Sequence, residues 1–143
     1  MAVNKTWIAA PPDRVFAVLA DPRTYADWVV GAAETRDFDR EWPRPGTVFH
    51  HTQLIPRIGL RDTTAVVACE RPRRLLLETR LRAFAKMSVD LRLEPADGGT
   101  FVTMREIAVG GLAGMLPAAL LDPAIHLRNR EGLRRLRRIA ERT

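Results

Sequence analysis

The sequence predicts an α+β fold: a curved antiparallel sheet of about seven strands wrapped around one long C-terminal helix, with two short helices after the first strand. Three observations carry this. From Asp122 to Arg142, Ile125, Asn129, Gly132, Leu133, Leu136, Ile139 and Ala140 share one side of a helix at about 100° per residue, and Arg130, Arg134, Arg135, Arg137 and Arg138 take the other. The middle of the chain alternates apolar and polar residues in runs divided by short turns. Near the start, two short helical patterns follow each other directly between strands.

Taken in order, Val3 to Ala9 alternates and holds Trp7 and Ile8, a first strand. Ala10-Pro11-Pro12-Asp13 stops it. Val15, Phe16, Val18 and Leu19 then recur at helical spacing, giving a helix from Pro12 to Ala20. Asp21-Pro22, a cap followed by proline, opens a second short helix. Its apolar side is Tyr25, Trp28 and Val29, and Gly31 ends it. Thr35 to Arg40 reads as a strand and Trp42 to Gly46 as a proline-stiffened turn. Thr47 to Ile55 and Leu60 to Glu70 are strands joined through Pro56 to Gly59, and Arg71-Pro72-Arg73 turns the chain into a strand from Leu75 to Leu81. Lys86 to Glu94 has one dry face (Met87, Val89, Leu91, Leu93) and one wet face. Ala96-Asp97-Gly98-Gly99 is a hairpin turn and Thr100 to Val109 the last strand. Strands joined by short turns pair antiparallel, and the sheet must curve to hold a helix.

Gly110, Gly111 and Gly114 link the last strand to the long helix, for which Asp122 is the cap and Pro123 the first residue. Gly132 inside that helix costs about 1 kcal/mol relative to Ala, a cost explained if the helix approaches the sheet closely there. Asn129 sits on the apolar face, and a buried amide needs partners.

A chain of 143 residues suffices for one domain with one core, spanning 1–143. Its 46% apolar content is ordinary and argues against disorder. The apolar run from Gly110 to Leu121 is too short and too broken to cross a bilayer, so no membrane span is expected. The N-terminus lacks the pattern of a signal peptide. The single cysteine, Cys69, excludes an internal disulfide and fits a reducing cytoplasm. The net charge is +6, and seven Arg against two Glu follow Pro123, a surplus of five on the last helix. A solvated outer face accounts for that charge. Contact with nucleic acid, an acidic lipid surface or an acidic partner is the alternative, but no zinc-finger spacing or RNA-binding aromatic motif accompanies the charge, so no specific nucleic-acid partner is expected.

The stretches APPDRVFAVLADPRTYADW near the start, GGTFVTMRE before the last helix and RNREGLRRLRRIAER at the end, in this order of elements, resemble the START/Bet v 1-like (SRPBCC) helix-grip superfamily. Within it the chain is similar to the bacterial polyketide cyclase/dehydrase and lipid-transport family. The resemblance spans the whole chain. It implies a deep cavity between sheet and helix that takes an apolar or aromatic small molecule. Members include aromatase/cyclases, lipid carriers and plant hormone receptors, so the fold does not choose among these roles.

Several residues are candidates for such a site. His50 and His51 lie on one strand, so one points inward and can serve as general acid/base. If Val48 and Leu54 face the core it is His50; if Phe49 and Ile55 do, it is His51. The opposed directions also exclude a two-ligand metal site on this strand, and no cofactor or metal motif is present. Glu106 shares a face with Val102, Met104 and Ala108 and needs a cationic partner there, either Arg61 or Arg128. Arg61 shares its parity with Thr63, Ala65, Val67 and Cys69, a face that can be the inner one. Trp28, Tyr25 and Trp42 can stack a flat ligand or pack in the core. The candidate catalytic set is therefore His50, His51 and Glu106, and the candidate ligand-binding set Trp28, Arg61, Met87, Val89, Met104, Arg128 and Asn129.

Three functions follow. In the first, the cavity holds an apolar, polyketide- or lipid-like molecule and polar residues fix its heteroatoms. In the second, the same groups catalyse cyclisation or dehydration of a polyketide-like chain. In the third, the Arg-rich helix face docks a partner; a homodimer is a further possibility. Binding ranks above catalysis because no acid/base set is spelled out.

Overall fold

The computed structural model describes residues 1–30, 32–55, 58–81 and 85–142, with side-chain surroundings for all of these except 33–37, 51–55, 58–61 and 81. The chain runs β1 (Ala2–Ile8), α1 (Pro12–Leu19), α2 (Tyr25–Trp28), β2 (Ala32–Phe38), β3 (Val48–Ile55), β4 (Ile58–Glu70), β5 (Arg74–Leu81), β6 (Ala85–Ala96), β7 (Gly99–Gly110) and α3 (Ala118–Arg142). Single 3-10 turns precede α2 (Pro22–Thr24) and α3 (Ala113–Met115). The described residues form one seven-stranded sheet in the order β1-β7-β6-β5-β4-β3-β2, every neighbouring pair antiparallel. The first strand closes on the last, which brings the N-terminal segment beside α3. This is the helix-grip architecture.

Local chemistry sets the joints. Asp97 and Gly98 have φ of 50° and 76°, and they form the two-residue loop between the paired Ala96 and Gly99. Positive φ at both loop positions matches the right-handed twist of the flanking strands. Asp21 caps the 3-10 turn before α2, accepting from the Arg23 N–H at 2.9 Å. The sheet's inner face carries Leu75, Leu77, Val89, Leu91, Leu93 and Val102, all buried, against Leu133, Leu136 and Ala140 of α3 and Val15, Phe16 and Leu19 of α1.

Three expectations are corrected here. α3 begins at Ala118, so Pro123 lies inside the helix and Asp122 is not its cap. Pro123 has no N–H for the Ala119 carbonyl, but Ala119 is exposed and water can serve that group. Asp122 instead binds the amino group of Met1 at 2.6 Å. β2 starts at Ala32 rather than Thr35, because irregularities after Ala32 and Thr35 break the alternation that would reveal it. Gly132 does allow a close approach, but to α2: a Cβ there would sit 3.0 Å from the Trp28 carbonyl oxygen. The expected ends at Gly31 and Pro56-Arg57 lie outside the described residues.

Candidate functional site

Between the sheet and α3 remains a cavity of about 190 Å³. Its apolar wall comes from Leu77 of β5, Met87 and Val89 of β6, Met104 of β7, Trp28 of α2 and Ile125 of α3. Alternation puts the strand residues there, and the helical stripe brings Ile125 over them.

One part of the wall is polar. Glu106 is buried in β7, beside Val89 on one neighbouring strand and Ala2 on the other. Arg128 reaches across from α3, its Nη2 donating to Glu106 Oε1 at 2.7 Å and to Oε2 at 2.5 Å. Asn129 Nδ2 donates to Oε1 at 2.9 Å, and Arg128 Nε donates to Asn129 Oδ1 at 3.4 Å. Adjacent residues of one helix thus converge on one carboxylate and use three of its roughly four lone-pair sites. Burial works against the Arg128 charge, but the attraction and hydrogen bonds of Glu106 outweigh it and raise its pKa further. Asp62 of β4 is a second buried carboxylate on the wall, its Oδ1 accepting the Thr63 N–H at 2.7 Å.

Tyr25 and Trp28 complete the polar set from α2. They pack edge-to-face at 5.8 Å, and Tyr25 does the same with Phe49 at 4.7 Å. The Trp28 indole N–H is buried and finds no hydrogen-bond partner among the described residues. A buried unpaired donor costs about 1–3 kcal/mol, so this wall holds an unspent hydrogen bond.

Burial drives the Tyr25 phenol well above its ordinary 10.0, and Asp62 adds to this against the opposing Thr64 hydroxyl and Arg128 charge. The folded chain therefore holds this proton to higher pH than the unfolded chain. Stability should fall as pH rises past about 10, by up to ~1.4 kcal/mol per pH unit. Tyr25 is the only tyrosine, so tyrosinate absorbance reads it alone. The midpoint should lie above 10.0 in the native protein and return to about 10 in urea; a native midpoint at or below 10.0 would contradict its burial.

The cavity gathers Trp28, Met87, Val89, Met104, Glu106, Arg128 and Asn129 from the sequence candidates. Of the two proposed partners of Glu106, Arg128 makes the pair; the side chain of Arg61 lies outside the described residues. His50 is corrected: it is exposed, with Nδ1 3.3 Å from Thr63 Oγ1, because Phe49 takes the inward parity of β3. The side chain of His51 lies outside the described residues. Trp42 packs edge-to-face on Phe49 at 4.7 Å and donates to the Ala20 carbonyl at 2.8 Å, outside the cavity wall. The proposed inner face of β4 is corrected as well. Asp62, Thr64 and Val66 are buried, whereas Val67 is exposed. A bulge between Val66 and Ala68 then switches the parity, so Cys69 packs on the core again. Reading one parity through that bulge hides Asp62, and no other sequence signal marks it.

The family profile described as polyketide cyclase / dehydrase and lipid transport matches residues 2–141. Among solved structures, protein CV1439 from Chromobacterium violaceum is 19% identical, with 97% of this chain and 96% of that one covered and a TM-score of 0.76. The structure of Ara h 8.0201 is 13% identical over 99% and 97%, TM-score 0.77. The di-domain ARO/CYC StfQ from the steffimycin biosynthetic pathway is 12% identical over 98% of this chain and 50% of that one, TM-score 0.77. At these identities the likeness is one of fold. No curated protein matches the sequence.

Proposed function

The chain belongs to the polyketide cyclase/dehydrase and lipid-transport family of the START/Bet v 1-like superfamily, and from that premise we propose that it binds a small, largely apolar or aromatic molecule between sheet and α3. The observation that carries this is the polar group set into an otherwise apolar cavity: Glu106 held by Arg128 and Asn129, with the unpartnered Trp28 N–H in the same wall. Such a wall orients a ligand that donates to the carboxylate and accepts from the indole, while the remainder is held by burial. A cavity of about 190 Å³ resembles in size the ~150 Å³ that accepts a benzene ring. It is smaller than the ~300 Å³ at which drug-sized pockets begin. One substituted ring or a short branched chain fits; an extended polyketide or a diacyl lipid does not.

That size also ranks binding above cyclisation, which needs the whole reacting chain folded inside. Glu106 is a poor proton shuttle in this setting, because Arg128 and Asn129 already occupy most of its acceptor sites.

Native mass spectrometry of the purified protein should reveal a carried molecule of this size. Calorimetry with a hydroxybenzaldehyde, one ring bearing a donor and an acceptor, tests the recognition. Trp28→Phe should weaken binding by about one to two decades, since a lost hydrogen bond to a buried polar atom costs ~1–3 kcal/mol, and Asn129→Leu should weaken it by removing the amide that positions the Glu106 carboxylate. In the empty protein Trp28→Phe removes an unpaired donor but also trims a buried side chain of the core, so its thermal melt is the control that separates a loss of fold from a loss of affinity. Unchanged affinity in both folded variants would take the polar wall out of ligand recognition.

A further inference from the structure

The segment that leads into α3 presents an apolar surface that the cavity does not use. Met115, Leu120 and Leu127 are 81%, 69% and 64% exposed, and Leu112 and Leu116 stand out beside them. Five large apolar side chains within sixteen residues are far from the scattered single exposures of an ordinary surface. The same α3 turns basic further on. At about 100° per residue, Leu120, Leu127, Arg130, Arg134 and Arg138 fall within a sector of about 80°, opposite the buried Asn129 and Leu136. One outward stripe is therefore apolar in its first half and mainly cationic in its second, where Glu141 also falls but pairs with Arg137 at 3.0 Å. Arg134 shares its charge with Glu131 at 3.5 Å, while Arg130 and Arg138 make no ion pair among the described residues.

We propose that this stripe docks on an anionic lipid surface, with Leu112, Met115, Leu116, Leu120 and Leu127 in the acyl boundary and Arg130 and Arg138 at the phosphates. Charge complementarity selects this occupant, since anionic headgroups answer the arginines that flank the leucines. A second copy packed on the same stripe would bring two cationic helices together. Leu112, Leu116 and Leu120 also protrude rather than line a groove, while Leu127 edges a shallow, open depression beside Met1, Val3 and Pro123. A fluid bilayer conforms to protruding side chains, whereas a folded partner needs a matching concavity. Ala113 and Leu121 of this segment line the cavity, so the docking surface and the cavity wall are two sides of one piece of chain. The proposal stands on the outer side alone and does not require the cavity to be loaded.

Co-sedimentation of the full chain with vesicles of equal parts phosphatidylcholine and phosphatidylglycerol tests this, with pure phosphatidylcholine vesicles as the neutral control. The chain should bind the mixed vesicles, bind the neutral ones more weakly, and release as added salt shortens the screening length. Leu120→Gln and Leu127→Gln should each lower the partition coefficient roughly tenfold or more, as expected for an apolar side chain withdrawn from hydrocarbon. Arg130→Gln and Arg138→Gln should each lower it roughly fivefold. All four positions are exposed, and circular dichroism confirms that the variants fold. No binding to the mixed vesicles, or binding indifferent to both leucines, overturns the proposal. So does a dimer in analytical ultracentrifugation that Leu120→Gln dissolves, since the stripe would then be a self-association face.

Discussion

Leu136→Ala is expected to lower the unfolding free energy by about 2–5 kcal/mol, against no more than about 0.5 kcal/mol for Arg135→Ala. Leu136 is fully buried, one turn beyond Gly132 on the face of α3 that meets the sheet. Truncation removes its transfer free energy and leaves a void. The surrounding layers cannot easily close that void, because Leu91, Leu93 and Val102 belong to a sheet whose strands are fixed by their ladders. Arg135 is half-exposed and pairs with Glu131 at 3.3 Å one turn back, an arrangement worth only about 0.3–0.5 kcal/mol. Urea titration of both variants checks this, with a common m-value as the sign that only stability has changed. Equal losses would mean that α3 is rotated from the orientation described.

The contrast between these two residues was legible in the sequence because a long amphipathic helix repeats its signal over several turns. Ile125, Asn129, Gly132, Leu133, Leu136 and Ala140 are buried as the 3.6 period requires. The same holds for the dry face of β6 and for Glu106, whose neighbours Val102 and Met104 share its parity without interruption. Legibility stops where the period is broken. The bulge at Val66 and Ala68 inverts the face of β4, so Asp62 is missed and Thr63 and Ala65 are wrongly turned inward. On β3, neither parity of the His50-His51 pair is favoured by its neighbours, and the choice rests on the burial of Phe49. The start of α3 is hidden for another reason. Proline is tolerated within a helix where the carbonyl that it leaves unpaired is exposed, so Asp122-Pro123 imitates a beginning. The Trp28 N–H belongs to a third class: its lack of a partner is a property of packing and has no sequence pattern at all.

The Glu106–Arg128 pair should be strongly asymmetric. Arg128→Met is expected to cost about 3–5 kcal/mol, because it strands a carboxylate that is only 2% exposed. Asn129 Nδ2 at 2.9 Å would remain its neighbour, but one amide donor does not replace a guanidinium facing both oxygens. Glu106→Gln leaves the other partner in an easier position. The Arg128 side chain is 39% exposed, so its charge can be hydrated, and the new amide oxygen still accepts a hydrogen bond. The expected loss is about 1–3 kcal/mol, the range for an imperfectly paired buried polar group. The double variant should be more stable than Arg128→Met alone, since no unpaired charge is left in the cavity, and a neutral buried set can equal the ion pair it replaces. Urea titrations of the four proteins give the coupling energy directly. A coupling within about 0.5 kcal/mol of zero, the scatter of independent sites, would mean that the two residues do not act as a clamp between β7 and α3. The Arg128→Met variant also separates stability from recognition. Its cavity keeps the Trp28 N–H and the Glu106 carboxylate, so a hydroxybenzaldehyde should still bind it, and binding should recover part of the lost stability in proportion to ligand concentration. A ligand that stabilises the parent chain but not this variant would instead assign Arg128 to direct contact with it.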